Sequence, residues 1–166
     1  MSVKKLARLA LLAAAALILF AAEAQLPPPV PIPGVKLGLS NVFVLLALSL
    51  YGRREAALVL ALKTLLGAAV AGTLLSFAYS AAGGLCCFTL MALLKGRVTE
   101  KQLWFLSAAG ALGHNFGQLA LAVLLLGAPG LWWYAPVLVL SGVVTGVFTG
   151  LCARAALPPL RKTLFK

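Results

Sequence analysis

Runs of about 18 or more predominantly apolar residues recur along this chain, and no other feature limits its folds so strongly. A hydrocarbon core offers no water to backbone N–H and C=O groups, so such runs cross it as helices that satisfy their own hydrogen bonds. With 63% hydrophobic and only 10% charged residues, no soluble domain of useful size fits between the runs. The expectation is a single membrane domain over residues 1–166, an all-α integral membrane protein. A net charge of +11 would suggest nucleic acid as the partner of a soluble protein. Here it has a simpler origin, because lysine and arginine accumulate in cytoplasmic loops. The expected surroundings are the lipid bilayer, with no nucleic-acid partner.

The pattern predicts six transmembrane helices, at about 3–23, 37–52, 55–75, 78–94, 103–126 and 132–153. Between the first two lies a proline-rich segment, 25–36, that holds five of the nine prolines. Proline fixes φ and removes a backbone donor, so residues 27–33 cannot be α-helix. They read as a polyproline II strut of roughly 20 Å. Ser40 and Asn41 are placed to cap the helix that follows, and that second span is short. Ala22-Glu23-Ala24 also has the look of a signal-peptidase site. The six-span reading retains residues 1–24.

Charge fixes the orientation of these spans. The N-terminus, Arg53-Arg54, the Lys95 to Lys101 loop and the tail from Arg154 hold twelve of the fourteen positive charges. Six alternating spans put all four groups on one side, so both termini are expected in the cytoplasm of a multi-pass plasma-membrane protein. Trp132, Trp133 and Tyr134 then fall at the outer interface, where an aromatic belt belongs.

Polar residues at membrane depth are expensive and therefore functional candidates. In the fifth span Ser107, Gly110, His114 and Gln118 share a helical face, and Asn115 adjoins it. His114, Asn115 and Gln118 together can hold a polar ligand. Interhelical hydrogen bonding is the plainer alternative. Lys63 lies inside the third span and either snorkels to the cytoplasm or faces inward to neutralise an anion. Gly142, Gly146 and Gly150 permit close approach of a helix, internal or from another chain. The adjacent Gly83-Gly84 pair is expected to loosen the start of the fourth span.

Several chemistries have no residues to carry them. Cys86, Cys87 and Cys152 lack metal-site spacing, and no phosphate-cradling glycine loop is present. The aspartate pairs that hold magnesium diphosphate in prenyl synthases are absent. No catalytic residue, metal or cofactor is expected, and the chain reads as a non-enzyme.

Residues Pro31 to Asn41, Lys63-Thr64-Leu65-Leu66-Gly67, Gly72 to Ser80 with Gly83-Gly84, and Gly113-His114-Asn115-Phe116-Gly117-Gln118 resemble the Gx transporter family. That family is also known as heptaprenyl diphosphate synthase component I. It is similar to the S components of energy-coupling factor (ECF) transporters, six-helix subunits that bind small nutrients from outside. The resemblance implies a membrane substrate-binding and transport subunit for a small anionic molecule, or one related to isoprenoids, quinones or flavins. In this reading Lys36, Asn41, Tyr79, His114, Asn115 and Gln118 line the pocket, with Lys63 as a further candidate, and the segment from 27 to 41 closes over it. Ala10 and Ala14 would dock an ECF T subunit, which brings the ATPases. Two alternatives stand beside it. One is a non-catalytic accessory to a prenyl synthase catalytic subunit. The other is a structural subunit of a flavin-based extracellular electron-transfer assembly, with the Gly142 to Gly150 seam facing a partner.

Overall fold

The computed structural model describes residues 2–27 and 36–164. Most of the proline-rich segment, residues 28–35, lies outside the described residues. Six α-helices are formed: α1 (Val3–Glu23), α2 (Asn41–Leu50), α3 (Arg53–Ala71), α4 (Leu74–Leu94), α5 (Leu103–Leu126) and α6 (Ala135–Leu164). Among the described residues there is no β-strand. Four helices, α1, α4, α5 and α6, are long and apolar enough to cross a membrane. α3 has 19 residues, but Arg54, Glu55 and Lys63 fall in each of its 18-residue windows, above the two charges such a window tolerates.

Local chemistry sets the helix ends. Ser2 caps α1 through Lys5 N, and Thr73 caps α4 through Ser76 N. Gly72 (φ +68°) ends α3, and Gly127 (φ +57°) ends α5, both in the left-handed conformation that glycine adopts without strain. Three boundaries depart from the expected ones. The 55–75 helix stops at Ala71 because Gly72-Thr73 breaks the chain, which returns Leu74 and Leu75 to α4. The last helix starts at Ala135, after a 3₁₀ turn over Pro129–Tyr134, and continues through Pro158 and Pro159 to Leu164. The second helix starts at Asn41 rather than 37. Its ten residues rise about 15 Å, half of a hydrocarbon core.

α5 is the centre of the bundle, packed most extensively on α4 and α6, while α1 rests on α2 and α3. Leu9, Leu12, Ala13, Ala16 and Phe20 of α1 are buried, so this helix is part of the core. Gly142, Gly146 and Gly150 face α5: a Cβ at Gly146 would strike the Ala108 backbone, and one at Gly150 the backbone of Leu103 and Trp104. The partner of this seam is therefore internal. The electron-transfer reading, which needed the seam for another chain, loses its interface. Ser107 Oγ and Thr149 Oγ1 bond across the seam at 2.9 Å.

The bundle is pinned at one end by ion pairs. Lys5 of α1 bonds Glu55 of α3, and Arg161 of α6 bonds Glu100 at the entry to α5 at 2.7 Å. Overpacking the α5–α6 seam is expected to be costly. Gly146→Leu should lower stability by about 1–3 kcal/mol or more, read as an earlier thermal transition in detergent. Gly130→Ala, where a Cβ meets open space, should leave it unchanged.

Candidate functional site

Lys63 stands ten residues into α3, about 15 Å from Arg53 at 1.5 Å per residue. It is 2% exposed. Snorkelling to the surface is ruled out: its Nζ donates to Asn41 Oδ1 at 2.6 Å and to Ser40 Oγ at 3.2 Å. Ser40 makes no capping bond to α2. The two side chains expected to cap that helix instead hold the ammonium of its neighbour.

This bond orders the next one. With Asn41 Oδ1 taken by Lys63, the amide presents Nδ2 to His114, and Asn41 Nδ2 lies 3.1 Å from His114 Nδ1. The amide nitrogen donates, so Nδ1 accepts and the imidazole proton sits on Nε2. The ring lies between two glycines. A Cβ at Gly38 would come 2.6 Å from His114 Cδ2, and one at Gly83 would come 2.7 Å from Cε1 and Nδ1. Gly83 therefore provides a notch within α4 rather than a loosened helix start, and Gly84 does the same for Leu60. Gly38 also turns the chain at φ +79°, a second reason for glycine at that position.

Residues 36–40 run in non-helical backbone at this depth, which a membrane protein tolerates only where protein or a cavity surrounds it. Their polar groups are met by the bundle. Lys36 N donates to Gln118 Oε1 at 3.2 Å. Gly38 N donates to Glu23 Oε1, at the end of α1. The Lys36 ammonium lies 3.7 Å from the centre of the Phe20 ring, a cation–π contact.

Lys36, Asn41, Lys63, His114 and Gln118 are thus brought together. Tyr79 lies one turn before Gly83 on α4, buried with Leu119, Ala122 and Leu138. Asn115 turns the other way: its Nδ2 donates to Leu138 O at 2.7 Å, toward α6. Adjacent helix positions differ by about 100°, so Asn115 cannot share the His114 face. Ser107 likewise serves α6. Glu23 joins the cluster unforeseen, and Gly38 and Ser40 are the members of the expected covering segment that contact it. The only sequence signal for Glu23 was a carboxylate at the C-terminal end of an apolar helix, where the macrodipole disfavours it. Ala10 and Ala14 lie on the exposed face of α1. Among the described residues no group of histidine, cysteine or carboxylate side chains could hold a metal. Cys87 is buried and Cys86 exposed.

An all-helical bundle with four membrane-length apolar helices and a charged polar cluster buried between them defines a membrane protein. The chain belongs to the heptaprenyl diphosphate synthase component I family, whose profile matches residues 12–156. Neither the curated proteins nor the solved structures include a match.

Removing one partner of a buried charge leaves the other uncompensated. Asn41→Leu, which takes a neutral amide acceptor from the buried ammonium, should cost about 1–3 kcal/mol or more. Adding Lys63→Met to Asn41→Leu should recover most of that loss. Denaturant unfolding in mixed micelles over the double-mutant cycle measures both, and additive effects would refute the coupling.

Proposed function

We propose that this chain is a non-catalytic, substrate-binding membrane subunit that takes a small anionic molecule from the outer face, in the manner of an ECF S component. One observation carries the reading: a lysine buried at mid-bundle, next to the start of a half-length helix, beneath a non-helical stretch entering from the end opposite the ion pairs. Broken helices and unwound backbone at mid-membrane are how transporters build sites for polar cargo. Lys36 and Lys63 face one carboxylate, Glu23, so the cluster carries an excess of positive charge. Gln118 Nε2, on the amide that accepts from Lys36 N, is a buried donor with no partner among the described residues.

Six membrane-crossing elements with both termini cytoplasmic complete the proposal, with α2 and the preceding segment together forming the second. The Lys5–Glu55 and Arg161–Glu100 pairs support that topology, because they gather the N-terminus, the α2–α3 turn, the α4–α5 loop and the α6 tail at one end. Ala10 and Ala14 offer a small-residue face for a T subunit with its ATPases. Family membership favours a second reading, an accessory to a prenyl synthase catalytic subunit, in which the same cationic cluster would hold a diphosphate.

The purified protein in lipid nanodiscs, screened by thermal shift against small anionic metabolites, tests the site. Lys63→Met and His114→Ala should each abolish any shift, whereas Asn115→Ala should lower the baseline transition yet keep it. Retention of binding by both of the first two variants would refute the site. Co-purification with a soluble prenyl synthase would favour the accessory role over uptake.

A further inference from the structure

α1 ends on Glu23, which is 4% exposed. Its position is unfavourable for the helix itself, because the carbonyl end of a helix repels a carboxylate. Burial adds a desolvation cost. Groups outside α1 offset part of these costs. Glu23 Oε1 accepts the Gly38 N–H, and the carboxylate interacts electrostatically with Lys63 and Lys36. Gly38 is also the residue packed on His114, so this bond ties the non-helical segment down over the site. The segment is otherwise tied to α5 by the Lys36 N to Gln118 Oε1 bond.

We propose that Glu23 is a tethered internal anion: it occupies the oxyanion position of the site, holds residues 36–40 closed, and is replaced there by the anionic group of the incoming molecule. The inference rests on the anion-binding reading above and adds its ligand class and gating. Two cations and one tethered carboxylate leave charge for a further oxyanion. The Gly38 N–H that now binds Glu23 is a donor a carboxylate or phosphate would use, and the Lys36 and Lys63 ammoniums, now over Phe20 and on Asn41 and Ser40, supply the field that favours an anion there. Displacing Glu23 releases both the segment at Gly38 and the end of α1. Because α1 also bears Ala10 and Ala14, site occupancy is transmitted to that exposed face.

The test uses the full chain in nanodiscs with Leu39→Cys as reporter, in a Cys86→Ser/Cys152→Ser background. The labelling rate by a membrane-impermeant maleimide reads opening of the segment. Inorganic diphosphate and citrate are the two probes, separating phosphate from carboxylate recognition. Glu23→Gln should label faster than its parent without any anion. It should bind the preferred probe about tenfold tighter, as expected when a closed state populated about nine parts in ten is removed. Glu23→Asp, which keeps the charge on a shorter stem, should fall between the two, and it replaces Glu23→Gln if that variant does not elute as a single species. Equal labelling in parent and Glu23 variants, or equal affinity, overturns the tethered-anion inference. The anion-site reading is judged separately on Lys63→Met and His114→Ala: binding equal to the parent in both would overturn that reading alone. Absence of binding by either probe to parent and Glu23→Gln overturns both.

Discussion

The ammonium of Lys63 is the group to which the rest of the site answers. A lysine at this depth in a bundle cannot be left unpaired, because the desolvation cost would exceed what packing around it returns. Ser40 and Asn41 must therefore stand beside it, so α2 must begin at mid-bundle and the chain before it must enter without helical hydrogen bonds. Asn41, oriented by Lys63, sets the tautomer of His114. Each step is local, yet together they explain why one of six helices is only ten residues long.

Glycine makes the arrangement possible. The His114 ring fits because Gly38 and Gly83 have no side chain where it lies, and α5 meets α6 because Gly142, Gly146 and Gly150 admit its backbone. With little hydrophobic drive between helices in lipid, such close approach is the main source of cohesion. The same device serves two ends: a close-packed seam on one side of α5, and on the other a polar cluster close enough for direct hydrogen bonds. α5 thus separates structure from chemistry. Its Ser107 and Asn115 hold α6, while His114 and Gln118 face the segment before α2.

The heptaprenyl diphosphate synthase component I family, to which the chain belongs, is named for diphosphate chemistry, and the site proposed here is cationic. A diphosphate and a small carboxylate would be met by the same groups. Charged and polar groups are buried between the helices, and α1 presents small residues outward.

The amino-acid sequence by itself determined that the chain is helical and belongs in a membrane. Apolar runs of that length leave the backbone no other way to satisfy its hydrogen bonds in lipid. It also singled out Lys63, His114 and Gln118, because a polar side chain among apolar ones is conspicuous whatever its neighbours. What stands opposite each of them was decided only by the tertiary structure. Helical spacing gives the angle between two side chains on one helix, and nothing about residues distant in the chain. Hence Asn115 was grouped with His114 although it faces α6, and the glycine seam was left without a partner. In the sequence alone Ser40 reads as a cap, and Glu23 as part of a signal-peptidase-like stretch. The Glu23 contact to Gly38 exists because α1 and the segment before α2 converge on α3 and α5, which packing alone brings about.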